Sequence, residues 1–256
     1  MSDIRITTVD GIRTITFDRP SRKNALTIDM YRRAAQALQE ARTDPAIRVV
    51  LITGSGDAFT SGNDVKDFMD TPPQGDDSPV FQFLLEIKEC EKPIVIAVNG
   101  IAVGIGVTML LHADVVYVAD TATLKLPFTT LGLCVEGGAS FLLPRIAGHA
   151  RAAELLLFGE AFDAQTALEV GLCARVIPAA ELLAFASERA RILAHERPLG
   201  SLMVTKRLMK SATADRVSQA FVDEAGEFMA RLGSDEAKEA FMAFFEKRKP
   251  NFQQFG

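Results

Sequence analysis

The 256-residue chain predicts an α/β protein with parallel strand pairing. Three observations carry this. Residues 93–98 (PIVIAV) form a continuous apolar, β-branched run, the pattern of a strand buried on both faces. Residues 49–53 and 115–118 repeat that pattern. Segments of helical period lie between the runs, which is the alternation that brings successive strands parallel.

Each element follows from local chemistry. Residues 4–8 and 13–17 alternate apolar and polar around Asp10-Gly11, a turn pair, and predict a β-hairpin. Asp18-Arg19-Pro20 ends it, and residues 21–25 form a basic, polar loop. Thr27 can cap a helix that runs to about Arg42, with Met30, Ala34, Leu38 and Ala41 at helical spacing and Asp44-Pro45 as its stop. The strand at 49–53 is followed by Gly54-Ser55-Gly56, a small-residue loop at 59–64 and a short helix. Residues 70–79 (DTPPQGDDSP) are the most loop-like stretch and are expected to be mobile. Phe81, Leu84, Leu85 and Lys88 then mark an amphipathic helix. After the strand at 93–98, Asn99-Gly100 is expected to turn directly into a small-residue helix over 103–112. From Glu136 helices dominate, over 137–146, 150–158 and 164–170, the last capped by Asp163 and closed by Gly171. A short strand at 175–177 precedes helices broken near Arg197-Pro198 and Gly233-Ser234. The expected division is an α/β core over residues 1–195 and a helical C-terminal region over 196–256.

Composition excludes several function classes. The net charge of −5 disfavours a nucleic-acid partner. Cys90, Cys134 and Cys173 show no CxxC pairing, and His112, His149 and His195 are far apart, so neither a disulfide framework nor a metal site is expected. There is no signal-peptide core, no run long enough to span a bilayer and no lipidation signal in the closing FQQFG, so a soluble cytoplasmic protein without a membrane partner is expected.

Glu136 stands out chemically, as the only charged residue between Lys125 and Arg145. Such a carboxylate either caps a helix or sits desolvated in a pocket, where its raised pKa makes it a proton carrier near neutral pH. Composition does not choose between the two. Nucleotide binding is disfavoured because Gly104-Ile105-Gly106 lacks the third small residue of the dinucleotide fingerprint, which is Met109 here. No GxSxG elbow occurs. Two small-residue segments, Ser61-Gly62-Asn63-Asp64 and Gly104-Ile105-Gly106, each follow a buried strand. They serve either tight turns or backbone N–H groups that converge on a ligand oxygen.

The ordered set SGNDV, PIVIAVNGIAVGIGVTMLLHAD, LPFTTLGL and the LLLFGEAFDA…GLCARVIP stretch resembles the enoyl-CoA hydratase/isomerase (crotonase) superfamily over nearly the whole chain. The resemblance implies a crotonase-like ββα spiral core with a helical C-terminal trimerisation region, and a homotrimer or dimer of trimers. It implies an acyl-CoA thioester as substrate, with CoA part of the substrate and no separate cofactor. The backbone N–H groups of Asn63 and Ile105 take the positions of the oxyanion donors, within Ser61, Gly62 and Gly104. Arg22, Lys23 and Lys66 match positions beside CoA, and Phe244 and Lys247 match a C-terminal pair that reaches it. The two carboxylates of a hydratase fall on Thr108 and Phe128, which cannot ionise usefully. Glu136 instead matches the single glutamate of 3,2-enoyl-CoA isomerases, in an apolar wall of Phe128, Leu131, Leu133 and Val135. The expected activity is therefore double-bond isomerisation. The alternatives are a hydratase with a displaced acid/base, another acyl-CoA lyase or hydrolase, or a non-catalytic acyl-CoA-binding homologue.

Overall fold

The structure, a computed structural model, describes residues 3–70 and 77–255, with residues 68–70 by backbone only. The chain opens with strands β1 (Ile4–Val9) and β2 (Ile12–Phe17), paired antiparallel from Ile4 opposite Phe17 to Val9 opposite Ile12. Asp10 and Gly11 both take positive φ, 48° and 74°, the conformation a two-residue hairpin demands. Helix α1 (Ile28–Thr43) starts where Thr27 accepts the Met30 N–H and buries Met30, Ala34, Leu38 and Ala41 along one face. Strands β3 (Val49–Gly54) and β4 (Ala58–Thr60) follow, then α2 (Val65–Asp70) and α3 (Pro79–Glu89).

The expected loop at 70–79 is trimmed at both ends. Asp70 closes α2, and Pro79 opens α3 behind the cap Ser78; residues 71–76 lie outside the described residues. Proline suits a first helical position because no N–H is needed there.

The middle of the chain holds β5 (Ile94–Val98), β6 (Ile101–Val103), α4 (Ile105–Thr108), which tightens into a 3-10 turn over Met109–His112, β7 (Val115–Ala119) and β8 (Thr123–Lys125). Helices α5 (Ala139–Ala147) and α6 (His149–Ala153) come next, the latter running into a π turn over Glu154–Phe158. Then come β9 (Ala161–Asp163), α7 (Ala164–Glu169) capped by Asp163, and β10 (Arg175–Ile177). Helices α8 (Ala179–His195), α9 (Leu199–Ser211), α10 (Ala214–Leu232) and α11 (Asp235–Glu246) complete the fold.

The strands form two sheets. The larger runs β1-β2-β3-β5-β7-β10 and is parallel beyond the first pair; the smaller runs β4-β6-β8-β9. Three successive pairs, β3/β4, β5/β6 and β7/β8, each give their first strand to the large sheet and their second to the small one. This repeated ββ step is the crotonase-like spiral. The expectation that Asn99-Gly100 leads straight into a helix is corrected: β6 intervenes. Strands β4, β6, β8 and β9 have three residues each. That is too short for an alternation to register, and their stability comes from pairing with each other.

All five residues of β5 are buried, and α8 packs across β3, β5 and β7. The C-terminal region is helical, with an extra break at Ala212-Thr213 between α9 and α10. A buried ion pair ties it to the sheet: Asp114 accepts the Ile94 N–H and the Lys206 ammonium, each at 2.7 Å. Among the described residues no helix is long and apolar enough to cross a membrane.

Candidate active site

The small sheet delivers its loops to one cavity of about 780 Å³. Ser61, Gly62 and Asn63 after β4, and Gly104 and Ile105 after β6, form one wall. Phe128, Leu131, Leu133 and Glu136, on the segment between β8 and α5, form another; α3, α10 and α11 close the remainder with Leu84, Phe221, Phe241 and Phe244.

The glycines in the first wall do not offer their own N–H groups. Gly62 donates to the Thr60 hydroxyl and Gly104 to the Lys125 carbonyl, at 3.1 and 2.9 Å. What they provide is conformation. Gly62 has φ 87°, and a Cβ there would lie 2.9 Å from the Val103 carbonyl. Gly104 has φ 55° and ψ −116°, a region open only to glycine. The residue after each glycine is the one released. The bridge between the Leu26 and Asn63 segments uses the Gly62 carbonyl and the Asp64 N–H, leaving the Asn63 N–H off the ladder. Ile105 is the first residue of α4, so its N–H has no acceptor within the helix. The Asn63 side chain is itself held, its Oδ1 accepting a short hydrogen bond from the buried Tyr31 hydroxyl. The Ile105 side chain is buried.

Glu136 is the one carboxylate among the described residues of the cavity wall. Its Oε1 accepts a short hydrogen bond from Thr108, while its Oε2 is buried with no partner. Burial pushes its pKa from 4.5 to about 7, against the Thr108 hydrogen bond and with a further push from Glu224. The helix-cap explanation does not hold for this residue. Glu136 precedes α5 by three positions, and the N–H groups at that helix start, Gly138 and Ser140, are bound by Glu224 of α10 at 2.6 and 2.7 Å. The turn between Glu136 and α5 needs two positive φ values in succession, 72° at Gly137 and 75° at Gly138. His112, buried and held neutral with its pKa lowered to about 4 by burial, donates from Nε2 to the Gly137 carbonyl at 2.7 Å.

Of the residues singled out in the sequence, the structure brings Ser61, Gly62, Asn63, Gly104, Ile105, Phe128, Leu131, Leu133, Glu136 and Phe244 to the cavity wall. It places others elsewhere. Thr108 is fully buried behind Glu136, as its hydrogen-bond donor. Val135 packs into the core rather than the wall. Arg22 and Lys23 are exposed beside Ser61, whose N–H the Lys23 carbonyl accepts, but the Lys23 ammonium is paired with Asp57 at 2.6 Å. Lys66 is exposed on α2, and Lys247 is the exposed left-handed cap of α11. In its place Arg248 reaches the cavity, oriented by both oxygens of Glu239. Lys125 and the α10 residues Val222, Gly226 and Met229 also line the cavity and are not marked by sequence reasoning. The apolar face of α10 carried that signal, but not which cavity it would meet.

Comparison with known proteins agrees with this fold. The profile described as "Enoyl-CoA hydratase/isomerase" matches residues 7–255. Human "Enoyl-CoA delta isomerase 2" is 34% identical over 250 residues, 95% of this chain and 63% of that protein, so the chain spans less than two thirds of that relative's length. A "Probable enoyl-CoA hydratase" of Rhodobacter capsulatus is also 34% identical, over 97% of each chain. A crystal structure of an enoyl-CoA hydratase/isomerase from Pseudoalteromonas atlantica T6c superposes with a TM-score of 0.94 at 39% identity, over 98% of this chain and 100% of its own. Equal identity to an isomerase and to a hydratase leaves the reaction open while the spiral, the matched profile and the whole-chain superposition agree: this chain belongs to the enoyl-CoA hydratase/isomerase family.

Proposed function

We propose that the protein converts 3-enoyl-CoA thioesters to trans-2-enoyl-CoA, with Glu136 as a single acid/base. One observation carries the reading: Glu136 is the only carboxylate among the described wall residues, and one of its oxygens is buried without a partner. Water addition is served by two carboxylates, one for the water and one for the α-carbon. The two positions that resemble those of hydratases hold Thr108 and Phe128. Moving a double bond within one molecule needs only one base, because the proton removed is the proton returned.

The ionised Glu136 takes a proton from C2. Electron density flows through the C3–C4 double bond and the carbonyl to give a dienolate. The Asn63 and Ile105 N–H groups hydrogen-bond the thioester oxygen as its charge grows, which favours the transition state over the ground state. The neutral Glu136 carboxyl returns the proton at C4, leaving the double bond between C2 and C3. A pKa of about 7 suits both halves, since the group is neither a poor base nor a poor acid at neutral pH. Phe128, Leu131 and Leu133 keep water from quenching the dienolate.

Glu136→Gln tests this with 3-enoyl-CoA and 2-enoyl-CoA assayed in parallel. Loss of isomerisation by roughly 10²–10⁴-fold is expected. Turnover within a few-fold of the wild-type chain refutes the assignment, and hydration of 2-enoyl-CoA exceeding isomerisation favours a displaced acid/base hydratase.

A further inference from the structure

The turn that carries Glu136 is braced from behind by a second buried carboxylate. Glu224, in the middle of α10, spreads its two oxygens over the Gly138 and Ser140 N–H groups at 2.6 and 2.7 Å. Helix α5 has no side-chain cap of its own, and its N-cap is Gly138 in a left-handed conformation. Glu224 thus supplies from a distant element the acceptor that Ser, Thr or Asp usually supplies locally. The contact is enclosed: Glu224 is buried, and a Cβ at Gly138 would lie 3.0 Å from the Phe221 ring one turn earlier on α10. The same ring meets His112, which holds the Gly137 carbonyl. The peptide between Gly137 and Gly138 is therefore held at both ends by side chains from other elements, its carbonyl by His112 and its N–H by Glu224.

We propose that Glu224 is a positioning residue for the acid/base: it fixes the turn that aims the Glu136 carboxyl and keeps a negative charge close behind it. Two functions follow from one contact. Orientation comes from the paired N–H groups of Gly138 and Ser140, which hold the turn against α10. Charge comes from the carboxylate, which opposes ionisation of Glu136 and helps keep that group usable as an acid. The direction agrees with the upward push of Glu224 on Glu136. Other charged or titratable groups share the surroundings. Tyr31 of α1, His112 of the 3-10 turn, Lys125 of β8 and Arg248 after α11 face Glu136 or its cavity. Cys134 and Asp223 lie beside Glu224, Glu227 faces Cys134, and Lys88 lies over the Phe221 ring. Glu224 is the carboxylate among them bonded to the turn itself.

The proposal rests on Glu136 as the proton carrier, so its test has a readout that needs no turnover. The Glu136 carboxyl is titrated by infrared difference spectroscopy, with Glu136→Gln as the blank. Glu224→Gln keeps the volume but removes the charge and one of the two acceptors. The carboxyl titration is expected to move down, by about 0.5–1 pH unit, because a like charge that opposes its ionisation is gone. Glu224→Asp keeps the charge but falls a methylene short. Its kcat on 3-enoyl-CoA is expected to fall by roughly 10- to 100-fold at nearly constant KM, the mark of a misaimed group rather than weaker binding. Circular dichroism establishes that each variant is folded. A folded Glu224→Gln with an unmoved titration, or a folded Glu224→Asp with wild-type kcat, overturns the proposal and leaves Glu224 a structural cap. If instead Glu136→Gln turns over normally, the isomerase reading fails while the titration arm still judges Glu224.

Discussion

Replacing Glu136 by Gln should make the protein's stability less sensitive to pH, in a direction opposite to that of most carboxylates. In the folded chain burial raises the Glu136 pKa from 4.5 to about 7. A raised acid binds its proton more tightly folded than unfolded, so folding is favoured while the proton is on. That contribution is fully present below pH 4.5, falls as pH rises and is lost above pH 7. At about 1.36 kcal/mol per pH unit, the gap between 4.5 and about 7 amounts to roughly 3.4 kcal/mol. Linkage places roughly 2.5 kcal/mol of this between pH 5 and pH 8. Water entering the open cavity lowers the figure, so a change of about 2 kcal/mol over that window is expected. Gln is neutral throughout and can still accept the Thr108 hydroxyl bond. Urea unfolding of both proteins from pH 5 to pH 8 reads the effect directly. The advantage of Glu136→Gln over the wild-type chain should grow with pH and level off above pH 8. A difference that stays constant across the window refutes a desolvated Glu136, and with it the physical basis for a neutral-pH acid/base.

Three further outcomes are expected. Thr108→Val removes the hydroxyl that favours the ionised form, so the Glu136 titration should move above 7, read by the same infrared difference. Gly104→Ala meets no atom within 4 Å, but φ 55° with ψ −116° strains any other residue by about 1–3 kcal/mol; kcat/KM should fall although there is room, because relief of the strain turns the Ile105 N–H away. Gly226 is interior to α10, lines the cavity and has nothing within 4 Å of an added Cβ. Gly226→Ala should therefore stabilise the helix by about 0.5–1 kcal/mol in chemical denaturation, whereas Gly226→Phe should lower kcat/KM for long acyl chains more than for short ones.

The inner strands of the large sheet, β3, β5 and β7, were legible because they are apolar runs, and burial on both faces leaves a composition rather than a pattern that neighbours can blur. The hairpin and the caps Thr27 and Asp163 were legible because turn and cap chemistry is local. The small sheet was not. Its strands, such as β6 with Ile101, Ala102 and Val103, owe their existence to partners far away in sequence. For the same reason the chain showed glycines near two loops without showing which N–H groups were released. The N–H groups of Gly62 and Gly104 are themselves already bonded, and the residue that follows each, Asn63 or Ile105, is the one set free.

Glu136 shows how a long-range contact decides a local ambiguity. On sequence it was either a helix-start carboxylate or a proton carrier, and both explanations rest on the same residue beside the same helix. The two are physically exclusive here. A carboxylate that satisfies the first N–H groups of α5 has both oxygens engaged in hydrogen bonds that favour its ionised form, and neither is free to take a substrate proton. Glu224, 88 residues further along the chain, takes those N–H groups, and in doing so leaves the Glu136 Oε2 unpartnered. The capping falls to Glu224, which leaves Glu136 free for the proton transfer proposed for it. Neither assignment can be read from either residue's own neighbours, because the division exists only once α10 is packed against the turn.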